Sequence, residues 1–391
     1  MLPYLGALST ASFPAAIAGV ATASGFAYGE VGNFTFGTDT VYDDSFTAVD
    51  SVKPNPECTP DFSNAANANG MYGCMFGNTG ALTVGRFVPD HFTTTPTAAQ
   101  GCATGGFTYS GQPFSSVRID ALNAAAGNTR NYSTSTGFSK TVTLCGAKGD
   151  DGSYNCSGSP AWSVGNATIL PTSFLAGNGY YSGATPIISF TAIPTAPSAL
   201  TLRAHDSDSV SSSGKTEITT NLYSGLLRLT SYTGSATAAL QIPVQALYWG
   251  GSSWIINNHD SCTVIPSASI ALSNYLDSTG APTGCWTTTG SILGPLSGGH
   301  GNIILTTPAS TCAGTVGPGS VSVALNLGSS TADTACLPSH PVTTGANEAY
   351  LRGRNGSCAA SNSYAADPSA TATFGIYTPE SNKIVHLREL Y

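Results

Sequence analysis

Charge is what this sequence has least of. Only 9% of its 391 residues are Asp, Glu, Lys or Arg, against roughly 25% in an ordinary soluble domain. A helical protein needs Glu, Lys and Arg for its wet helix faces, so a helix-rich fold is excluded. The 13 basic residues form no cluster and are outnumbered by 21 acidic ones, for a net charge of -8. That removes a phosphate-tracking surface and with it nucleic acid as a partner. No apolar run reaches the ~18 residues that would span a bilayer as a helix. The first basic residue is Lys53, so the N-terminal stretch lacks the positive region of a secretory signal. The expectation is a fragment of a longer secreted protein, or one whose export segment has been removed.

Catalytic grammar is scarce as well. No Ser sits in a G-x-S-x-G elbow and no H-E-x-x-H occurs. Ser213-Gly214-Lys215-Thr216 imitates the end of a phosphate loop, but Ser209 stands where its first Gly is required, and no helical pattern follows. None of the ten cysteines forms a C-x-x-C pair, which excludes zinc-ribbon, thioredoxin-like and haem-attachment motifs.

What fills the chain is Ser, Thr, Ala and Asn, with 45 Gly and 23 Pro as punctuation. A hydrophobic content of 41%, with 17 Tyr and 15 Phe, argues for a packed core over disorder. Period-two alternation recurs. The odd positions of Val321-Ser322-Val323-Ala324-Leu325-Asn326-Leu327 are all aliphatic, and Leu240 to Trp249 places its even positions toward a core. Pro243 falls in that second run, which predicts an edge strand or a bulge there. Leu200-Thr201-Leu202-Arg203-Ala204 and Thr141-Val142-Thr143-Leu144 repeat the pattern. Two more alternating runs flank Thr378 to Asn382 and predict a hairpin ending at Tyr391. The fold class is therefore all-β: tandem Ig-like β-sandwich domains with Gly/Pro-rich loops and disulfides. Soft breaks after Phe92 and Ile265 divide the chain into an N-terminal β domain or partial sandwich (1–92), a central sandwich (93–265) and a C-terminal sandwich (266–391).

An even number of cysteines in a Ser/Thr-rich chain fits disulfides in an oxidising compartment. The shortest closures are Cys58–Cys74, Cys145–Cys156 and Cys262–Cys285, each worth roughly 2–4 kcal/mol. Cys102, Cys312, Cys336 and Cys358 are left without an assigned partner. Asp206, Asp208 and Glu217 are the candidate ligands of a hard cation such as calcium; two solvated acids on a turn explain the same pattern. Tyr180, Trp249 and Trp254 are candidate sugar-stacking rings, against the ordinary use of such rings as core. His259-Asp260 beside Cys262 has the look of half a dyad, but neighbours on a strand point to opposite faces, so a hydrogen-bonded turn is expected.

Several residue strings also occur in a recognisable order. Gly25 to Phe34 comes first, then Gly85-Arg86-Phe87-Val88-Pro89-Asp90-His91-Phe92 and Phe107-Thr108-Tyr109-Ser110-Gly111-Gln112-Pro113-Phe114. Asn128 to Tyr132, Leu202-Arg203 with Asp206-Ser207-Asp208, and Leu227-Arg228-Leu229 follow. Ala246-Leu247-Tyr248-Trp249, Asn257-Asn258-His259-Asp260-Ser261-Cys262-Thr263 and the stretch from Ala372 to Tyr391 complete the set. From about residue 25 onward the chain resembles the C-terminal region of MshQ-like bacterial surface proteins, which are associated with the mannose-sensitive haemagglutinin type IV pilus. That resemblance implies an exported, β-rich, non-enzymatic structural or adhesive module, extracellular or on the bacterial cell surface. It implies partners among other pilus or surface subunits; no cofactor is expected beyond the calcium for which Asp206, Asp208 and Glu217 are candidates. Glycans remain a second class of partner, and a homopolymer built by strand addition a variant of the first. The shared residues read as turn and packing positions; Arg86 is expected to pair with Asp90, and Asn257 to Asp260 to lock a turn.

Overall fold

The computed structural model describes residues 4–9, 13–95, 106–147, 162–181, 184–313, 317–328, 341, 343–352 and 367–375. These are almost wholly strands and turns, as the alternation implied; the single α-helix is the four-residue Thr47–Asp50. Near the N-terminus, β1 (Gly32–Phe36) pairs antiparallel with β2 (Leu82–Phe87) as a two-stranded sheet.

Two sandwiches follow. The first is built from β3 (His91–Thr95), β4 (Phe107–Tyr109), β5 (Arg118–Leu122), β6 (Val142–Ala147), β7 (Thr168–Ile169), β8 (Phe174–Leu175), β9 (Asn178–Tyr180), β10 (Ser198–His205) and β11 (Ile218–Tyr223). One sheet has the order β7-β6-β10-β11-β4 and the other β8-β9-β5-β3. Phe92, Ile119, Leu144, Ile188, Leu202 and Leu222 are among the side chains buried between them. Strand β10 is buried on both faces along Leu200 to Ala204, which places Arg203 inside the protein.

The second sandwich uses β12 (Gly225–Leu229), β13 (Tyr232–Gly234), β14 (Leu240–Trp249), β15 (Trp254–Ile256), β16 (Ile270–Asp277), β17 (Gly290–Ile292), β18 (His300–Leu305), β19 (Pro318–Leu325) and β20 (Ser369–Phe374). Its sheets have the orders β12-β14-β18-β17, with β15 on the end of β14, and β13-β20-β19-β16. The odd positions Val321, Val323, Leu325 and Leu327 are all fully buried, as their spacing required. Architecture thus recurs, a larger and a smaller sheet face to face, where the sequence shows no repeat.

Three expectations change. Strand β14 is not an edge, since it has β12 on one side and β18 on the other. Pro243 is tolerated because its carbonyl accepts from the N–H of Thr230 (3.1 Å), just past the end of β12. Its missing donor therefore faces the side where pairing has already stopped. The joints after 92 and 265 are not breaks in pairing either. The first lies inside β3, and the second lies between β14 and β18, which are neighbours in one sheet. The cores divide instead at Ser224. Cys285 pairs with Cys312, not Cys262, because the two flank the paired segments Trp286–Thr287 and Ala309–Ser310; Thr311 donates its N–H to the Cys285 carbonyl (2.8 Å), which brings the next residue, Cys312, within reach, at a Cα separation of 4.8 Å. Cys58–Cys74 forms as expected. Cys145 and Cys262 are also disulfide-bonded; Cys156, the partner expected for Cys145, lies outside the described residues, as do Cys102, Cys336, Cys358 and residues 376–391 of the expected closing hairpin.

Candidate functional site

The three candidate calcium carboxylates are engaged by protein groups. Glu217 takes a two-pronged ion pair from Arg203 (2.9 and 3.2 Å) and a hydroxyl from Ser212 (2.6 Å), with both charged side chains buried. Asp206 accepts the N–H groups of Asp208 (2.9 Å) and Val210 (3.1 Å) on one oxygen and the Tyr132 hydroxyl (3.1 Å) on the other. Burial pushes its carboxyl above the usual range, against those hydrogen bonds and the nearby Arg86. Asp208 pairs with Arg86, so the expected Arg86–Asp90 pair does not form; Asp90 faces His91 and Lys215 instead. All three carboxylates are thus held by a turn, a hydroxyl or a guanidinium. Among the described residues no group of three or more His, Cys, Asp or Glu is placed to hold a metal ion.

The aromatic candidates are not assembled into one platform. Tyr180 is half exposed on β9 of the first sandwich. Trp249 and Trp254 face each other edge to face at 5.6 Å across the β14–β15 hairpin of the second.

The densest cluster of chemistry lies where the sandwiches meet, and it was not foreseen. Strand β11 passes into β12 through one residue, Ser224, which is fully buried. Its carbonyl accepts from Trp249 N–H (3.0 Å) in the second sandwich, and its hydroxyl accepts from Thr195 N–H (2.9 Å) in the first. Around this link runs a series of rings. Tyr248 stacks on Tyr223 (4.6 Å), Tyr223 on Phe107 (5.3 Å), and Phe107 meets Tyr109 edge-on (5.0 Å), with Tyr350 at 6.1 Å beyond. Phe107 and Tyr109 belong by strand pairing to the first sandwich, yet they pack into the core of the second. Gly225 has no side chain because a Cβ there would sit 2.5 Å from the Tyr109 ring.

Tyr109 carries the polar half of the junction. Its hydroxyl donates to Asp260 Oδ2 (2.8 Å) and accepts from Asn257 Nδ2 (2.8 Å), and all three side chains are buried. Asp260 is held by the expected turn. Its N–H donates to the Asn257 carbonyl (2.9 Å), and its oxygens accept from Thr263 N–H (3.0 Å) and Thr263 hydroxyl (2.7 Å). Burial, then the Asp260 charge, raises the Tyr109 phenol well above its ordinary range, so it stays a donor. Beside it, Glu348 is buried with Oε2 unpartnered. Burial first and the Asp260 charge second push its carboxyl up to about 8, against one hydrogen bond from the Val264 backbone. At neutral pH Glu348 is mainly protonated, which keeps a second charge away from Asp260. What the arrangement does is fasten two domains. Asn257 to Asp260 was visible in the sequence as a turn, but nothing local announced that Tyr109, 151 residues away in sequence, would complete it.

Residues 62–224 match DUF6701, third domain, and residues 223–390 match DUF6701, fourth domain. The change from one to the other falls at Ser224, where the cores divide. No curated protein matches the chain. The chain carries the third and fourth DUF6701 domains in order, which fits the C-terminal region of a multidomain protein.

Proposed function

From a tandem of DUF6701 domains joined in this way, we propose that the chain is a non-enzymatic structural and adhesive module of a bacterial cell-surface protein, working with pilus or other surface subunits. The observation that carries the reading is the one-residue, buried linker. Independent domains are normally joined by exposed, flexible connections and move relative to one another. Here the link is hydrogen-bonded to both sides and roofed by rings, so the pair behaves as one stiff unit. A spacer that holds a binding or assembly element away from a cell needs that property, and it needs no active site. Disulfides at Cys58–Cys74 and Cys285–Cys312 suit an oxidising exterior. The resemblance of the residue strings to MshQ-like proteins supplies the pilus association. No described helix is long and apolar enough to cross a membrane.

The test is localisation on intact cells. Antibody against this chain should label the cell exterior or a filament, and peptides from the native protein should carry oxidised cysteines. Labelling only after permeabilisation, with thiols reduced, would sink the reading. A carbohydrate-binding module is the second reading, supported by the half-exposed Tyr180 ring. It predicts glycan-array binding that Tyr180→Ala abolishes.

A further inference from the structure

The N-terminal segment has an open face. Tyr28, Phe34, Phe36, Leu82, Val84 and Phe87 gather around the β1–β2 sheet and, with Phe13, Phe26 and Val41, line a groove of about 1010 Å³. Not one residue lining it is charged, in a chain of net charge -8. Of the 22 large hydrophobics exposed among the described residues, 15 lie before residue 89. A two-stranded sheet is marginal alone, and among the described residues the outer edge of β2 has no backbone partner. An apolar face beside an unpaired edge is the pattern of a sheet that another strand completes.

Position in the molecule narrows the occupant. Strand β10 runs from Ser198, paired with Leu222 beside the fourth domain, to His205, roughly 23 Å along. The N-terminal segment attaches at the far end. Arg86 binds Asp208, and buried Glu30 accepts the N–H groups of Arg130 (2.8 Å) and Asn131 (2.9 Å). The groove therefore lies at the end of the third domain away from the fourth. Strand β1 lies before the third-domain match and β2 within it, so the face straddles that domain's entrance. In the family's order the neighbour on that side is the second domain. The junction on the other side shows how consecutive domains meet: aromatic rings of one enter the apolar interior of the next.

We propose that the β1–β2 groove and the β2 edge are the docking surface for a second DUF6701 domain, which adds a strand to β2 and covers the rings. This does not depend on the surface or pilus reading, since it concerns only how the domains stack.

The test is calorimetric titration of the full chain with a purified second DUF6701 domain that itself melts cooperatively. One-to-one binding with a negative heat-capacity change is expected, weakened at least 100-fold by Leu82→Lys and by Phe34→Asp while the melting of the two sandwiches stays the same. Absence of binding overturns the proposal, as does binding that both substitutions leave intact. Sedimentation of the chain alone gives the competing outcome. A dimer that Leu82→Lys converts to monomer makes a second copy the occupant and overturns it too.

Discussion

The third domain has two ends that solve the same problem oppositely. Toward the fourth domain its rings are sealed: Phe107 and Tyr109 are buried, every polar atom of the Tyr109–Asn257–Asp260 group has a partner, and the linker is one residue long. Toward the N-terminus the clamp is equally polar and specific, through Glu30 and Asn131, but the rings beyond it stay open. Specific hydrogen bonds are therefore not what separates a closed interface from an open one. Both ends have them, and only one has its apolar surface covered. Coverage of apolar area supplies the energy, while the buried polar group fixes which geometry receives it.

The sharpest way to break the contrast is Tyr109→Ala. It removes the ring from the second core and leaves Asp260 buried without one of its donors, so a loss of about 3–5 kcal/mol is expected. Scanning calorimetry should show one transition becoming two as the domains uncouple. A smaller effect comes from Glu348. Its carboxyl is raised in the folded protein to about 8, from an ordinary 4.5, so the folded state holds a proton that the unfolded chain has lost. Stability is thus greatest below about pH 4.5 and falls as pH rises through 8, by at most about 5 kcal/mol. Glu348→Gln should flatten denaturant midpoints across that window; an unchanged slope would show that Glu348 is not the group titrating. Gly225→Ala should cost about 1–3 kcal/mol by overpacking against Tyr109 and Leu351, read from the same melts. Smallest is Leu82→Lys at the open end. Leu82 is 60% exposed, and the change should move the sandwich transition by less than about 0.5 kcal/mol. A large shift would mean that the open face already carries weight in the isolated chain.

The strands were legible because alternation is local. Val321 to Leu327 and Leu240 to Ala246 bury the predicted positions, and the Asn257–Asp260 turn was visible from its side chains. Pairing was much less legible. Cysteine partners were assigned by the shortest loop, yet strand register across Trp286–Thr287 decided for Cys285. Pro243 looked like an edge marker because the sequence shows that a donor is missing but not which side it would have faced. The junction was least legible of all. Tyr109, Asp260 and Glu348 each look like an ordinary loop or strand residue, and only the meeting of two cores gives them a common role. At Asp206, Asp208 and Glu217 the spacing allowed either a cation site or acids on a turn, and the turn and the arginines are what hold them.

Ser224 also limits how this tandem can vary. Strand β11 enters β12 through it directly, and side chains along a strand alternate faces. Inserting or deleting one residue there would reverse the facing of β12 relative to β11 and bring Gly225 out of line with Tyr109. Length differences among natural versions of the pair should therefore collect in the surface loops and spare this position. An engineer wanting a hinged version would have to lengthen the chain here and nowhere else.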